Sequence, residues 1–234
     1  YGAPDGGLVM DFFSGSATTA QAVMEYSYEN EVDLSYILVQ LPENLDESYE
    51  MANSSSKKAL KNAIDLLDNL EKPHFLTEVA KERIRRAIRE SDTKAAKQID
   101  SGFRVLKVDE SNMNDVYYSA GEYTQGLLTM LESNIKSDRT DLDLLFGCLL
   151  EWGLPLSLPY SSEKMEDCTV HTYNDGDLIA CFDENIPDSV IREIAKRQPL
   201  RAVFRDSSFN GSPAKINVGE IFKMLAPDTR VKVI

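Results

Sequence analysis

Histidine, cysteine and tryptophan are scarce in this sequence, at two, three and one among 234 residues. His74 and His171 lie far apart, and Cys148, Cys168 and Cys181 are odd in number with no CxxC spacing. That pattern argues against a zinc site and against a disulfide framework. The expectation is buried free thiols in a reducing cytoplasm. Long apolar runs are also missing: none approaches the roughly 20 residues that a membrane helix needs. No membrane partner is expected. Basic residues are outnumbered, 25 against 39 acidic, for a net charge of −14. Such a chain repels a phosphate backbone and by itself is a poor DNA binder. There is no Pro-Pro dipeptide, no internal repeat and no low-complexity tract.

Apolar residues, at 42%, are enough for a hydrophobic core, which argues against disorder. Residues 8–13 read as a buried strand, 14–19 as a turn of small residues, 18–26 as a helix and 36–41 as a second strand. Strand, helix, strand at this spacing is a βαβ unit with parallel strands. Residues 42–56 read as an acidic loop with some helix. Residues 57–70 carry a helical apolar pattern that Pro73 ends. A long helix starts at Leu76 and is expected to reach about Gln98, with Val79, Ala80, Ile84, Ala87 and Ile88 in one stripe. A boundary is expected near residue 100. Beyond it, 103–108 reads as a strand, and 123–131 and 142–152 as helices. Residues 170–173 and 178–182 form a hairpin across Asn174-Asp175-Gly176-Asp177. A helix over 189–197, a strand over 200–204, a helix over 218–225 and a strand over 231–234 complete a second, small mixed α/β domain.

The stretch with chemistry in it is Asp11-Phe12-Phe13-Ser14-Gly15-Ser16-Ala17-Thr18-Thr19. Small residues between a strand and a helix let a ligand approach the backbone. Free N–H groups at the helix start favour a carboxylate, and an acid at the strand end favours an amino group. The methionine end of S-adenosylmethionine carries both. A nucleotide or phosphate fits the motif nearly as well, and a tight turn with no ligand is the plain alternative.

Phe13-Ser14-Gly15-Ser16-Ala17 resembles the FxGxG cofactor motif of amino-methylating DNA methyltransferases, with the leading Asp11 and trailing Thr18-Thr19 matching and Ala17 replacing the second glycine. Alanine suits that position unless positive φ is required there. The chain more widely resembles the carboxy-terminal portion of the modification subunit of type III restriction systems. The likeness runs through Tyr36 to Glu43, Lys81-Glu82-Arg83-Ile84-Arg85-Arg86-Ala87, Gly102-Phe103-Arg104-Val105, Trp152-Gly153-Leu154-Pro155-Leu156, Asp177 to Phe182, and Val203 to Phe209. The resemblance implies an α/β fold: a partial Rossmann-like methyltransferase sheet over 1–100, then a second small mixed α/β domain over 101–234 with an assembly role. It implies a site-specific DNA adenine-N6 methyltransferase using S-adenosylmethionine. The expected cofactor-binding residues are Asp11, Phe13, Gly15, Ser16, Ala17, Thr18, Thr19, and Gln40 or Glu43 at the ribose. The family's acceptor motif, (Asp/Asn)-Pro-Pro-(Tyr/Phe), precedes FxGxG and is not in this sequence. Together with a first residue that is Tyr1 rather than Met, this gives the expectation of a fragment that is inactive alone. Its implied partners are DNA through the full-length subunit, a second modification subunit and the restriction subunit. The alternative is a non-catalytic assembly module.

Other features carry plainer readings. The basic positions Lys81, Arg83, Arg85, Arg86, Arg89, Lys94 and Lys97 suit DNA phosphates or a solvated face. Asp206-Ser207-Ser208 reads as a turn after a strand, since no histidine is near in sequence to make a nucleophile site. Trp152 reads as core, and Asp183-Glu184-Asn185 as a polar loop without calcium spacing. An unfinished sheet at the amino-terminal end would leave an open edge and apolar surface, hence self-association.

Overall fold

Strands β1 (Gly7–Asp11) and β2 (Leu34–Leu38) run parallel, connected by helix α1 (Thr18–Asn30). This is the expected strand–helix–strand unit, with β2 placed slightly earlier than predicted. The computed structural model describes residues 4–94, 102–114, 134–209 and 211–234. It divides into two units, Tyr1–Val105 and Leu106–Ile234. The boundary expected near residue 100 falls among residues outside the described set, and the helix predicted over 123–131 lies wholly outside it.

In the first unit, α2 (Leu45–Met51), α3 (Ser54–Asn69) and α4 (Leu76–Lys94) follow β2. Helix α2 supplies the helix expected within the acidic loop. Asn44 and Asn53 cap α2 and α3 by accepting backbone N–H bonds, which satisfies donors that a helix start leaves orphaned. The core joins Ala17 and Ala20 from the α1 end to Ala80 and Ile84 on α4, with Met24, Tyr36, Leu38, Ile88 and Phe103 packed around them. The strand expected over 103–108 is not formed. Phe103 folds instead onto this core with the Arg85 guanidinium 6.0 Å from its ring, and Val105, Leu106 and Val108 are exposed. Alternation of apolar residues there serves a single anchor, not a ladder.

The second unit is a five-stranded mixed sheet in the order β3-β4-β5-β6-β7. Its strands are β3 (Tyr160–Met165), β4 (Cys168–Tyr173), β5 (Leu178–Cys181), β6 (Arg201–Phe204) and β7 (Arg230–Val233). β3–β4 and β4–β5 pair antiparallel, and β5–β6 and β6–β7 pair parallel. Its helices among the described residues are α5 (Asp141–Glu151), α6 (Asp188–Lys196) and α7 (Gly211–Leu225). Alternation of side chains divides the core in two. Val170, Ile179, Cys181, Ala202 and Phe204 meet Val190, Ile191 and Ile194 of α6 and Val218, Ile221 and Phe222 of α7. On the opposite face, Tyr173, Leu178, Ala180, Phe182 and Val203 meet Leu144, Leu145, Cys148 and Leu149 of α5. The predicted hairpin forms across residues 174–177, where Asn174, Asp175 and Gly176 all take positive φ. Helix α7 begins earlier than expected, with Pro213 in its first turn, where a missing N–H costs no helix bond.

Candidate functional site

The loop between β1 and α1 is held by hydrogen bonds from its own side chains and from residues that follow β2. Asp11 ends β1 and holds the turn from both carboxylate oxygens: Oδ1 accepts from the Phe13 N–H at 3.1 Å, and Oδ2 accepts from Thr19 Oγ1 at 2.5 Å. The Gly15 N–H donates to Gln40 Oε1 at 2.8 Å. The Ser14 N–H donates to the Val39 carbonyl at 3.3 Å, and Val39 N–H to the Asp11 carbonyl at 2.8 Å. The loop and the end of β2 are thus one hydrogen-bonded assembly, which couples residues that are 25 positions apart.

Gly15 has φ +53° and Ala17 has φ +62°. Position 17 does require the left-handed region, which costs an alanine about 1–2 kcal/mol relative to ordinary helical backbone. Ala17 is fully buried against α4, so its methyl offsets part of that cost. A Cβ placed on Gly15 would meet only the Phe13 carbonyl oxygen at 4.0 Å. The space beside that backbone is open. Ala17 is the N-cap of α1, and no side chain caps the helix there. Phe13 points outward and is 88% exposed, so it does not fill the bend. Thr18 is exposed, and Ser14 is buried beneath the turn.

Of the two residues expected near a ribose, Gln40 is turned toward the loop through Gly15, and its Nε2 donates to the Leu41 carbonyl at 3.3 Å. Glu43 accepts from Ser48 Oγ at 2.9 Å, and its carbonyl accepts from the Leu76 N–H at 3.0 Å. Glu43 therefore ties the entries of α2 and α4 together.

Arg83 on α4 also reaches the loop. Nη2 donates to Ser16 Oγ at 3.3 Å and Nη1 to Gln21 Oε1 at 3.1 Å. In the sequence Arg83 stands in the 81–87 stretch and in a run of basic residues; its spacing from the loop carries no signal of this contact. Its neighbours are engaged otherwise. Lys81 pairs with Glu78, and Arg86 and Arg89 both approach the buried Glu82.

Elsewhere the plain readings are the observed ones. All three cysteines are free and buried. Burial pushes the Cys148 thiol up to about 11 and the Cys181 thiol to about 12, and raises that of Cys168. Cys168, Cys181 and Asp183 lie within 4.8 Å of one another. The Asp183 carboxylate already accepts from the Thr169 N–H at 2.5 Å and from the Cys181 thiol at 3.7 Å. That is a hydrogen-bonded polar knot in the core. Ser208 is buried and donates to the Asp183 carbonyl at 2.7 Å, so the 206–208 turn is structural. His171 lies between Ser162 Oγ at 2.8 Å from Nδ1 and Asp141 Oδ2 at 3.2 Å from Nε2. The order of bonds is that of a nucleophile–base–acid relay, yet Ser162 stands exposed on an edge strand. The group ties β3 and β4 to the start of α5. Trp152 packs in the α5 core, with Arg201 and Lys232 over its ring at 5.6 and 5.8 Å.

No protein-family model matches this chain, and no curated protein matches it.

Proposed function

We propose that this chain is the carboxy-terminal part of a site-specific DNA adenine-N6 methyltransferase, the modification subunit of a type III restriction system. Residues 1–100 would then be the donor-binding side of a Rossmann-like methyltransferase sheet, and 101–234 a domain for assembly with a second modification subunit and the restriction subunit. The cofactor is S-adenosylmethionine and the setting cytoplasmic. The observation that carries this reading is the open space beside Gly15, at the carboxyl end of parallel strands, where α/β sheets receive ligands. The uncapped start of α1 supports it, because orphan N–H groups favour a carboxylate. Asp11 keeps lone pairs for an amino group after its two loop bonds, since a carboxylate offers about four acceptor sites.

When bound, the donor supplies an activated methyl on a sulfonium. The chain's own contribution is to orient it: Gly15 admits it, Asp11 and Thr19 hold the turn, and Gln40 fixes the Gly15 amide. The acceptor motif is absent from the sequence, so methylation needs residues beyond these.

Calorimetric titration with S-adenosylmethionine tests the reading. Weak binding is expected for the natural sequence and none for Gly15→Leu, whose side chain would stand in the open space. With DNA and labelled donor, no methyl incorporation is expected. Equal binding by both forms, or robust methylation by this chain alone, would contradict the proposal.

A further inference from the structure

Arg83, unlike Lys81, Arg86 and Arg89 on the same helix, has no carboxylate partner among the described residues, and unlike Arg85 it reaches the loop. Lys81, Arg86 and Arg89 all pair with acids of their own helix. The Arg83 guanidinium is half-buried and held by two neutral acceptors, Ser16 Oγ and Gln21 Oε1, while its Nε is buried without a hydrogen-bond partner. Gln21 is itself fixed, since its Nε2 donates to Glu25 Oε1 at 2.9 Å. Bonds from a guanidinium to a carboxylate are about twice as strong as neutral ones, so a half-buried arginine resting on a hydroxyl and an amide retains unused capacity for an anion. Its contact with Ser16 places that capacity in the loop itself. Ser16 follows Gly15, whose flank is open, and precedes the uncapped N-terminus of α1. The guanidinium and the helix start therefore both bring positive charge to this loop.

We infer that Arg83 is the carboxylate-binding residue of the loop, gripping the amino-acid end of the methyl donor and selecting ligands that carry that group. The inference rests on the donor reading of the loop and adds a specificity residue to it. Ser16 and Gln21 then serve as the rests that hold the guanidinium in place before the ligand arrives.

The test compares two probes, S-adenosylmethionine and its decarboxylated counterpart, titrated calorimetrically into the natural chain and into Arg83→Gln and Arg83→Lys. The natural chain should prefer the carboxylate-bearing probe by about 10- to 100-fold, the range for a charged hydrogen bond. Arg83→Gln should lose that preference by weakening only the carboxylate-bearing probe, and Arg83→Lys should keep part of it. Matching circular dichroism and melting curves establish that the variants fold. If Arg83→Gln weakens both probes equally, or neither, Arg83 has no carboxylate role and the inference is overturned while the donor reading stands. If the natural chain binds neither probe, both are overturned.

Discussion

The described residues contain two sets of parallel strands, and they are covered differently. β5, β6 and β7 belong to a sheet with α6 and α7 on one face and α5 on the other. All four residues of β5 are buried. β1 and β2 have comparably apolar sequences, but among the described residues only one face is covered. Val9, Tyr36 and Leu38 turn toward the α1–α4 side, whereas Leu8, Met10, Ile37 and Val39 are exposed. Met10 and Ile37 are register partners, so the exposed apolar side chains form one continuous face. Parallel strands with apolar residues on both faces need two covering layers. Among the described residues the second unit meets that requirement within itself and the first does not.

The sharpest way to break this comparison is to truncate a side chain on each sheet. Phe204 is fully buried among Phe209, Phe222 and the α6 face. Phe204→Ala should cost about 3–5 kcal/mol in urea unfolding of the second unit. Met10→Ala, at a position 51% exposed, should stay within about 0.5 kcal/mol. Comparable costs would mean that the β1–β2 face is covered in solution. The same face predicts association. Light scattering should find mass rising with concentration, and the pair Met10→Lys, Ile37→Lys should lower it markedly, because two charges on adjacent register partners repel and resist burial. A natural chain that is monomeric at every concentration would remove the argument.

Much of this architecture is legible in the sequence. The βαβ unit follows from two apolar runs flanking small residues, and the 174–177 hairpin from its Asp-Gly step. β3 is not legible. Its residues, Tyr-Ser-Ser-Glu-Lys-Met, are polar and largely exposed, and its turn to β4 passes through Glu166 at φ +54° with no glycine to mark it. It is a strand because β4 offers an edge. Within the site, composition marks the loop, and the condition that decides position 17 is its φ. The contacts of Gln40 and Arg83 with the loop are not legible, because hydrogen bonds across 25 and 67 positions leave no periodic trace.

A smaller effect separates loop stability from ligand binding. Gln40→Ala removes the acceptor of the Gly15 N–H and should destabilise the first unit by about 0.5–1.5 kcal/mol, with the second unit unmoved. Hydrogen exchange that speeds at Gly15 but not along β5 would support the separate finishing of the two units. Acceleration in both would argue for one cooperative molecule.

The mildest test concerns pH and is confined to the first unit. His74 stands between two acids: Nδ1 is 3.0 Å from Asp46 and Nε2 is 3.0 Å from Asp68. A neutral imidazole has one N–H and can donate to only one of them; the protonated ring donates to both. Hydrogen bonds to Asp46 and then Asp68 accordingly hold its pKa above the ordinary value of 6.5. Since the folded value is the higher, the associated stability is complete below about pH 6.5 and fades as pH rises through the folded pKa. The gain is small because the acids are well exposed and solvent screens them. Leu45 N–H donates to the His74 carbonyl, so the ring sits where the entry to α2 meets the approach to α4. Thermal melts of the first unit should therefore shift slightly downward from pH 6 to pH 8, and His74→Gln should flatten that slope. An equal slope surviving in His74→Gln would place the pH response elsewhere.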